Sequence, residues 1–341
     1  MLKVHEGISE QILKAQAHEL HEYISNFSVH YIPTVEKRKP IVLSVLLHGN
    51  ECTGLTVLQQ LLTNPTVVLR RPLYVIFGNV EAAKSKVRHL AHQPDFNRIW
   101  MGGGRPEHKQ AKEILDYFND IEIFATIDIH NNTGKSPDYA CVNHLDETYL
   151  RLAQLFSPTT IYFTRPFEVL SNAFSNACPA ITLECGLSNS ESGIERSLKL
   201  IQYCMNIDLL PTNVSVENEI FHSFARINIP PECSIGFGST EEHCDFVFPE
   251  ALEDNNFIMY HKGEYFCSRK SEAAILVATN EKNIDITSEY FEYRGLDIYI
   301  NKDFTPSMFT RNKAVIYQDC LGYIMRTCDR ESIKKNLKNE K

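Results

Sequence analysis

The 341-residue sequence lacks features that mark several protein classes. Its 10 cysteines include no pair at CxxC spacing, so we expect reduced thiols rather than a disulfide framework or a cysteine-rich zinc module. It also has no stripe of clustered lysines and arginines, and its formal net charge is -9 at pH 7. Nucleic-acid binding needs such basic clusters to contact phosphates. We therefore expect a small-molecule partner and no nucleic acid.

The N-terminal segment lacks a long apolar run. Residues 1–23, MLKVHEGISEQILKAQAHELHEY, carry charged and polar side chains throughout. This pattern predicts neither a signal peptide nor a membrane-spanning helix, so we expect a cytoplasmic protein without membrane contact. Repeats and low-complexity blocks are absent too, and the 43% hydrophobic and 23% charged composition indicates a globular chain with a large core.

Up to about residue 210, apolar runs alternate with segments of helical spacing. The runs are continuous rather than alternating, which is typical of strands covered on both faces. An amphipathic helix and a short extended piece are predicted over 8–30, and further helices over 55–62 and about 191–210. We therefore predict an α/β fold with a mostly parallel mixed sheet flanked by helices. The main predicted strands are 41–47 (IVLSVLL), 72–79 (PLYVIFGN), 123–130 (IFATIDIH) and 179–186 (PAITLECG).

The character of the sequence changes at about residue 215. Short β-rich segments with turns between them follow, and helical patterns become rare. We predict a catalytic domain at 1–212 and a C-terminal β-rich domain at 213–341. Within the first domain, residues 83–108 are polar and rich in glycine and proline. Such a long connection is a candidate functional loop, either a mobile lid over the substrate or an ordinary surface loop.

Polar side chains stand just after the predicted strands. Ligand sites of open α/β sheets gather beyond the carboxyl ends of the strands. Two histidines and a carboxylate form a common catalytic zinc set, and a glycine at position 49 would permit a tight turn between two of them. The residues at these ends are His48 and Glu51, Asn79, Asp128 and His130, and Glu184.

A structural hydrogen bond is the simpler explanation for a single histidine after a strand. The combination of His48 with His130 and Glu184 favours a site, because an isolated buried carboxylate is costly without a partner and a metal supplies one. Asp128 lies two residues before His130 and on the same face of its strand. It is equally suited to orienting the His130 ring or to a purely structural hydrogen bond.

Four motifs in order resemble the aspartoacylase and succinylglutamate desuccinylase family of the wider zinc carboxypeptidase superfamily. The resemblance covers roughly residues 40–190, with weaker support from the β-rich C-terminal part. It implies a zinc carboxypeptidase-like fold for the first domain. The motifs are HGNE at 48–51, the series GN, R and DFNR at 78–98, DIHN at 128–131, and ECG at 184–186.

The resemblance implies roles for the residues of these motifs. His48, Glu51 and His130 would hold one zinc ion per chain. Glu184 would be the general base that activates the attacking water, and Arg88 would stabilise the oxyanion of the tetrahedral intermediate.

The resemblance also implies how a carboxylate-bearing substrate is held. Asn97 and Arg98 would bind its carboxylate, since a guanidinium can donate two parallel hydrogen bonds. Upstream of Glu184 the family has an arginine that reads a side-chain carboxylate, but this chain has SNAFSNAC there, with Phe174 near the expected position. Arg165 is the nearest candidate for that arginine, and an aromatic ring at 174 could instead face a less polar substrate.

The leading hypothesis is a zinc-dependent amidohydrolase that removes the acyl group from an N-acylated amino acid. One alternative from the same superfamily is a zinc carboxypeptidase that acts on a peptide or cell-wall fragment. Another is a non-catalytic ligand-binding protein. The same ligand set also suits other divalent cations.

Overall fold

The computed structural model describes residues 2–210, 219–241 and 243–328. The predicted domain boundary at 212/213 lies outside these residues. Within them the chain forms two compact units. The first contains residues 2–131, 138–210 and 219–220, and the second contains residues 132–137 and 221–328.

A mixed, mostly parallel sheet forms the centre of the first unit, with strand order β1-β2-β4-β3-β5-β8-β6-β7. The strands β4, β3, β5 and β8 are parallel neighbours, whereas β2 and β6 run antiparallel to β4 and β8. The predicted fold class is confirmed. The bounds are β1 (Val4–Glu6), β2 (Ser28–Ile32), β3 (Ile41–Val45), β4 (Leu73–Phe77), β5 (Ala125–His130), β6 (Tyr139–Val142), β7 (Thr159–Phe163) and β8 (Ala180–Glu184).

Helices connect these strands. Every residue of β3, β4, β5 and β8 is buried, which explains why the apolar runs are continuous. No helix in the described ranges is both long and apolar enough to cross a membrane. The helices are α1 (Glu10–Lys14), α2 (Thr53–Thr63), α3 (Val80–Lys84), α4 (Pro106–Phe118), α5 (Glu147–Gln154), α6 (Leu170–Phe174) and α7 (Glu191–Asn206), with a 3-10 helix at Ala17–Glu22.

The N-terminal helix is shorter than the sequence pattern predicts. Helix α1 ends at Lys14 because Ala15 adopts an extended conformation, and the 3-10 helix follows as a separate piece. The amide of Gln59, on α2, donates to the carbonyl oxygens of Ile12 (3.1 Å) and Ala15 (2.7 Å). A tertiary contact therefore satisfies carbonyls that a continuous helix would have used.

The second unit is β-rich, as predicted for the C-terminal part. One group of strands has the order β13-β9-β17-β16, and a five-stranded sheet has the order β10-β11-β12-β15-β14. Two short helices, α8 (Thr287–Tyr290) and α9 (Lys313–Gln318), lie between strands. The strands are β9 (Glu219–Asn228), β10 (Ile235–Phe237), β11 (Phe246–Phe248), β12 (Tyr265–Arg269), β13 (Val277–Asn280), β14 (Phe291–Arg294), β15 (Asp297–Ile300), β16 (Thr305–Ser307) and β17 (Gly322–Thr327), with 3-10 turns at Ser239–Glu241 and Leu252–Asn255.

Candidate metal centre and active site

The turn after β3 directs His48 towards the ends of the neighbouring strands. Leu46 is fully buried yet has a φ of 58°, in the left-handed region that a branched side chain rarely adopts. Its carbonyl oxygen accepts a 2.6 Å hydrogen bond from the Asn79 amide, and the Gly78 amide donates to Val45 at 2.9 Å. The end of β4 therefore fixes a sharp turn just before His48, and such strain is common at functional sites.

The glycine between His48 and Glu51 has a different role from the one predicted. A Cβ atom on Gly49 would lie 2.2 Å from the Ala83 nitrogen and 2.3 Å from the Ala82 carbonyl carbon. Glycine is needed because helix α3 approaches the backbone closely. The left-handed conformation of the turn lies at Leu46 instead.

His48, Glu51 and His130 converge as the sequence predicts. The His48 Nδ1 atom is 2.8 Å from Glu51 Oε1, and the His130 Nδ1 atom is 2.7 Å from Glu51 Oε2. The two Nδ1 atoms are 3.2 Å apart, and one ligand atom from each residue lies within 4.8 Å of the others. All three side chains are buried.

The Nε2 atom of each histidine ring contacts a carboxylate. The His48 Nε2 atom is 3.0 Å from Asp95 Oδ1, and the His130 Nε2 atom is 2.9 Å from Asp128 Oδ2. These contacts favour an N–H on each Nε2 atom, which leaves each Nδ1 lone pair for the centre of the cluster. Asp128 therefore contacts the His130 ring, as expected of a residue that orients it.

The electrostatics of the cluster are those of strongly paired buried charges. Burial would raise the pKa of Glu51, but His48 and His130 outweigh it and hold that pKa well below its usual range. Burial would lower the pKa of His130, but Asp128 and Glu51 raise it well above its ordinary value. The cluster therefore favours a negative carboxylate and a positive partner at its centre.

The donor set fits a zinc ion. The Nδ1 atoms of His48 and His130 are only 3.2 Å apart, and both contact the Glu51 carboxylate. The lone pairs of these nitrogens and oxygens repel one another unless a positive charge lies between them. A proton or a divalent cation supplies that charge, and two histidines with one glutamate form a common zinc set. Asp95 and Asp128, which contact the two Nε2 atoms, are carboxylates of the kind that usually accompanies ligating histidines.

Glu184 lies beside this cluster at the end of β8. It is paired in register with His130 across the parallel strands, and it is buried. Burial raises its pKa to about 7, with His130 lowering and Glu51 raising that pKa to smaller extents. A divalent cation nearby would favour the ionised carboxylate and lower this pKa. Glu184 therefore lies beside the cluster, and its pKa allows the carboxylate to accept a proton near neutral pH.

The structure also brings Arg88 and Asn97 to the cluster. The Arg88 Nη1 atom is 3.9 Å from Glu51 Oε1, and its Nε and Nη2 atoms donate to Asp95 Oδ2 at 3.0 and 2.8 Å. The Asn97 Nδ2 atom lies 3.4 Å from His130 Nε2. Arg98 donates to the Asn97 carbonyl oxygen at 2.9 Å. Arg88, predicted to stabilise the oxyanion, therefore lies in or next to the cluster together with Asn97 and Arg98, which are predicted to bind substrate.

Arg165 and Phe174 lie in different surroundings. The Arg165 side chain is exposed, and its guanidinium lies 5.6 Å from the centroid of the Phe167 ring. The Phe174 ring is buried in the core against Phe118 and Trp100, with centroids 5.5 and 6.4 Å away. Phe174 therefore fills the core, and the prediction that it could face a substrate is wrong.

Asp95 is the site residue that the sequence did not reveal. It contacts His48 and Arg88 and accepts the Asn97 amide at 2.7 Å. Burial would raise its pKa, but Arg88, His48 and Arg98 hold that pKa well below its usual range. The signal was present, because Asp95 is the first residue of the DFNR motif. It lies in an irregular loop, where the strand-end rule does not apply.

The chain is similar to known proteins in sequence and in fold. Residues 37–196 match the family model of the succinylglutamate desuccinylase/aspartoacylase catalytic domain. A curated succinylglutamate desuccinylase from Photorhabdus laumondii is 35% identical over 98 residues, which cover 26% of this chain and 29% of that protein. The matched segment thus spans less than a third of the curated relative.

Solved structures share the fold. The succinylglutamate desuccinylase from Chromobacterium violaceum superposes with a TM-score of 0.58 at 15% identity, covering 95% of this chain and 99% of that one. Murine aminoacylase 3 superposes with a TM-score of 0.51 at 16% identity, covering 86% of this chain and 97% of that one. Residues 37–196 thus match the catalytic domain of the succinylglutamate desuccinylase/aspartoacylase family, and the solved structures share the fold of the chain.

Proposed function

We propose that this protein is a zinc-dependent amidohydrolase that removes the acyl group from an N-acylated amino acid. The observation that carries the proposal is the convergence of His48, Glu51 and His130, with Glu184 in register beside His130. The family match and the fold of the solved deacylases support it.

The chain's own side chains have distinct tasks in this reaction. Zinc, when bound by His48, Glu51 and His130, would supply a Lewis acid that polarises the amide carbonyl and acidifies water. Glu184 would take the proton from the attacking water and pass it to the leaving amine nitrogen as the C–N bond breaks.

Arg88 is the residue that we propose for stabilising the charge that develops on the carbonyl oxygen. The two hydrogen bonds from Arg88 to Asp95 fix the guanidinium, and the remaining nitrogen, Nη1, lies 3.9 Å from Glu51 Oε1. A fixed positive charge in a buried site stabilises an oxyanion without reorganisation. We assign Arg88 this role because the cation is already in place before substrate arrives.

The substrate would carry a carboxylate. Asn97 and Arg98 are the proposed binding residues, since they adjoin His130 and Asp95. Arg165 is a further proposed contact for a second carboxylate, such as that of an acidic side chain or a succinyl group. Its exposed position makes its contribution the smallest of the three.

The test is a substrate panel with the zinc-loaded full chain. N-acetyl and N-succinyl amino acids and short peptides would be incubated with the unchanged chain, His48→Ala and the control His261→Ala, whose imidazole is exposed in the second unit. We expect amine release from an acyl amino acid, abolished by His48→Ala and kept in His261→Ala. Hydrolysis of peptides alone would support the carboxypeptidase alternative, and release from no substrate would support a binding protein.

A further inference from the structure

The backbone amide of Asn131 binds the proposed metal ligand Glu51. Strand β5 ends at His130, whose carbonyl oxygen accepts the Cys185 amide at 3.0 Å. The next amide, that of Asn131, donates to Glu51 Oε2 at 3.1 Å, and the His130 Nδ1 atom lies 2.7 Å from the same oxygen. A backbone N–H that donates to a carboxylate forms a charge-assisted hydrogen bond. The orientation of the Glu51 carboxylate therefore depends on where the peptide group before Asn131 lies.

The side chain of Asn131 is buried and hydrogen-bonded through both its oxygen and its nitrogen. Its Oδ1 atom accepts the Thr53 amide at 3.2 Å, and its Nδ2 atom donates to Thr53 Oγ1 at 2.9 Å and to the Gly186 carbonyl oxygen at 3.1 Å. The Thr53 amide can only donate and the Gly186 carbonyl can only accept, so these partners fix the orientation of the Asn131 amide. An asparagine suits this position because it combines an acceptor with two donors.

The partners of this side chain belong to the two segments that carry Glu51 and Glu184. Thr53 is the first residue of α2 and follows Glu51 by two positions. The first amides of a helix have no partner within the helix, and Asn131 Oδ1 supplies one for Thr53. Gly186 follows Glu184 by two positions, and its φ of 62° is in the left-handed region. Asn131 therefore connects the start of α2 and the end of β8 to the end of β5.

Two further hydrogen bonds join the same segments. The Asn189 amide donates to Thr53 Oγ1 at 3.1 Å, and Ser188 Oγ donates to the Asn50 carbonyl oxygen at 2.9 Å. Thr53 is fully buried, and its hydroxyl oxygen accepts from both Asn131 and Asn189. Connected hydrogen bonds in a buried site strengthen one another, and a partner left unpaired there is costly. The segments 50–53 and 186–189 are therefore held together around the Asn131 amide.

We propose that Asn131 is a positioning residue of the metal centre: its side chain holds the Glu51 carboxylate and the end of β8 that carries Glu184 in one arrangement. Loss of this side chain releases the start of α2 and the peptide group that binds Glu51. Partners that orient a metal ligand typically contribute about 10- to 100-fold to metal affinity. The inference rests on the proposed function, because a fixed Glu51 favours metal binding only if Glu51 is a ligand.

The first test measures zinc affinity by competition with a chelator, on the folded full chain and on Asn131→Ala. We expect the affinity of Asn131→Ala to be lower by about 10- to 100-fold. Asn206→Ala is the control with unchanged affinity, because the Asn206 amide is exposed on α7 and donates to the Gln202 carbonyl oxygen. Tight zinc binding that is equal in Asn131→Ala and the unchanged chain would overturn this inference alone. Absence of zinc from the unchanged chain would refute the proposed function and, with it, this inference.

A pair of substitutions at Thr53 tests the same network with Asn131 in place. Valine has the shape of threonine without its hydroxyl, so Thr53→Val removes the acceptor that Asn131 Nδ2 shares with the Asn189 amide. We expect Thr53→Val to lower zinc affinity by about 3- to 10-fold, as for the loss of a buried hydrogen bond. Thr53→Ser keeps the hydroxyl and should restore the affinity. This pair also decides the question if Asn131→Ala does not fold, and equal affinities in Thr53→Val and Thr53→Ser would overturn the inference.

The visible absorption of bound cobalt(II) reports the arrangement of the ligands separately from the stability of the chain. Cobalt(II) binds the same nitrogen and oxygen ligands as zinc, and its visible bands change with coordination geometry. At saturating cobalt(II), we expect the bands of Asn131→Ala to be shifted from those of the unchanged chain, and those of Asn206→Ala to coincide with them. A side chain that only stabilises the fold would lower the free energy of unfolding without shifting the bands. Coincident spectra of Asn131→Ala and the unchanged chain would therefore contradict the positioning role.

Discussion

The proposed metal centre of the first unit and the buried Arg269 of the second hold their charged side chains in different ways. In the first unit, buried histidines and carboxylates lie at the ends of parallel strands and converge on one point. In the second, the buried Arg269 donates to the backbone carbonyls of Gly295, Glu272 and Ala274 and lies over the Tyr293 ring. Charges that face one another can hold a ligand, whereas a cation tied to backbone carbonyls stabilises loops. We expect substitutions in the two units to separate accordingly.

The largest effect is expected for Glu184→Gln. Glutamine keeps the size of the side chain but cannot accept a proton, so we expect turnover to fall by about 10³-fold. Metal content should stay unchanged, because Glu184 is not one of the proposed ligands. Steady-state kinetics with metal analysis measures both, and Glu195→Gln, an exposed position on α7, is the control. Full turnover in Glu184→Gln would disprove the assigned base.

Phe266→Ala should destabilise the second unit without touching the metal centre. Its ring is fully buried and lies among Phe248, Phe291 and Phe309. Loss of a buried phenylalanine ring lowers the free energy of unfolding by about 3–5 kcal/mol.

Denaturant unfolding measures this change, and the neighbouring Tyr265→Ala is the control. Tyr265 is 43% exposed and pairs across the strands with Tyr299, so we expect a loss below about 1 kcal/mol. Equal losses in both variants, or loss of metal from folded Phe266→Ala, would show that the two units are not separable in this way.

The strand ends of the first unit could be predicted because the rule behind them is simple. Continuous apolar runs predict buried parallel strands, and parallel neighbours bring their carboxyl ends to one edge. His130 and Glu184 therefore meet in register, as found. The order of the strands needed the structure, because antiparallel β2 and β6 differ little from parallel strands in sequence.

Other features depend on contacts that a single sequence does not display. The break after Lys14 depends on Gln59, which is far along the chain and takes the carbonyls of Ile12 and Ala15. Asp95 is hard to predict for a similar reason, since its 47-residue separation from His48 is bridged only in the fold.

Asp95→Asn and Asp128→Asn should weaken metal binding to similar, intermediate extents. Each carboxylate fixes the Nε2 proton of one ligating histidine, and loss of such a partner typically costs about 10–100-fold in metal affinity. Competition with a chelator measures the affinity, and Asp116→Asn, whose side chain pairs with Lys112 on the surface of α4, is the control. Unchanged affinity in both variants would mean that the outer carboxylates do not orient the rings.

Arg165→Ala should have the smallest effect. An exposed guanidinium contributes little to binding, so we expect KM to rise by no more than about fivefold with kcat unchanged. Arg294→Ala, exposed in the second unit, is the control. A fall in kcat would show that Arg165 acts on the reacting atoms. The assignment of Arg165 as a weak substrate contact would then be wrong.

The most direct test of the account is the metal content of the purified full chain and of His130→Ala, measured by elemental analysis after dialysis against dilute zinc. His261→Ala reports any loss due to substitution alone. The account predicts about one zinc ion per unchanged chain, the same in His261→Ala, and almost none in folded His130→Ala. A chain that holds no zinc, or that holds it equally well without His130, would contradict the metal centre on which the proposed chemistry depends.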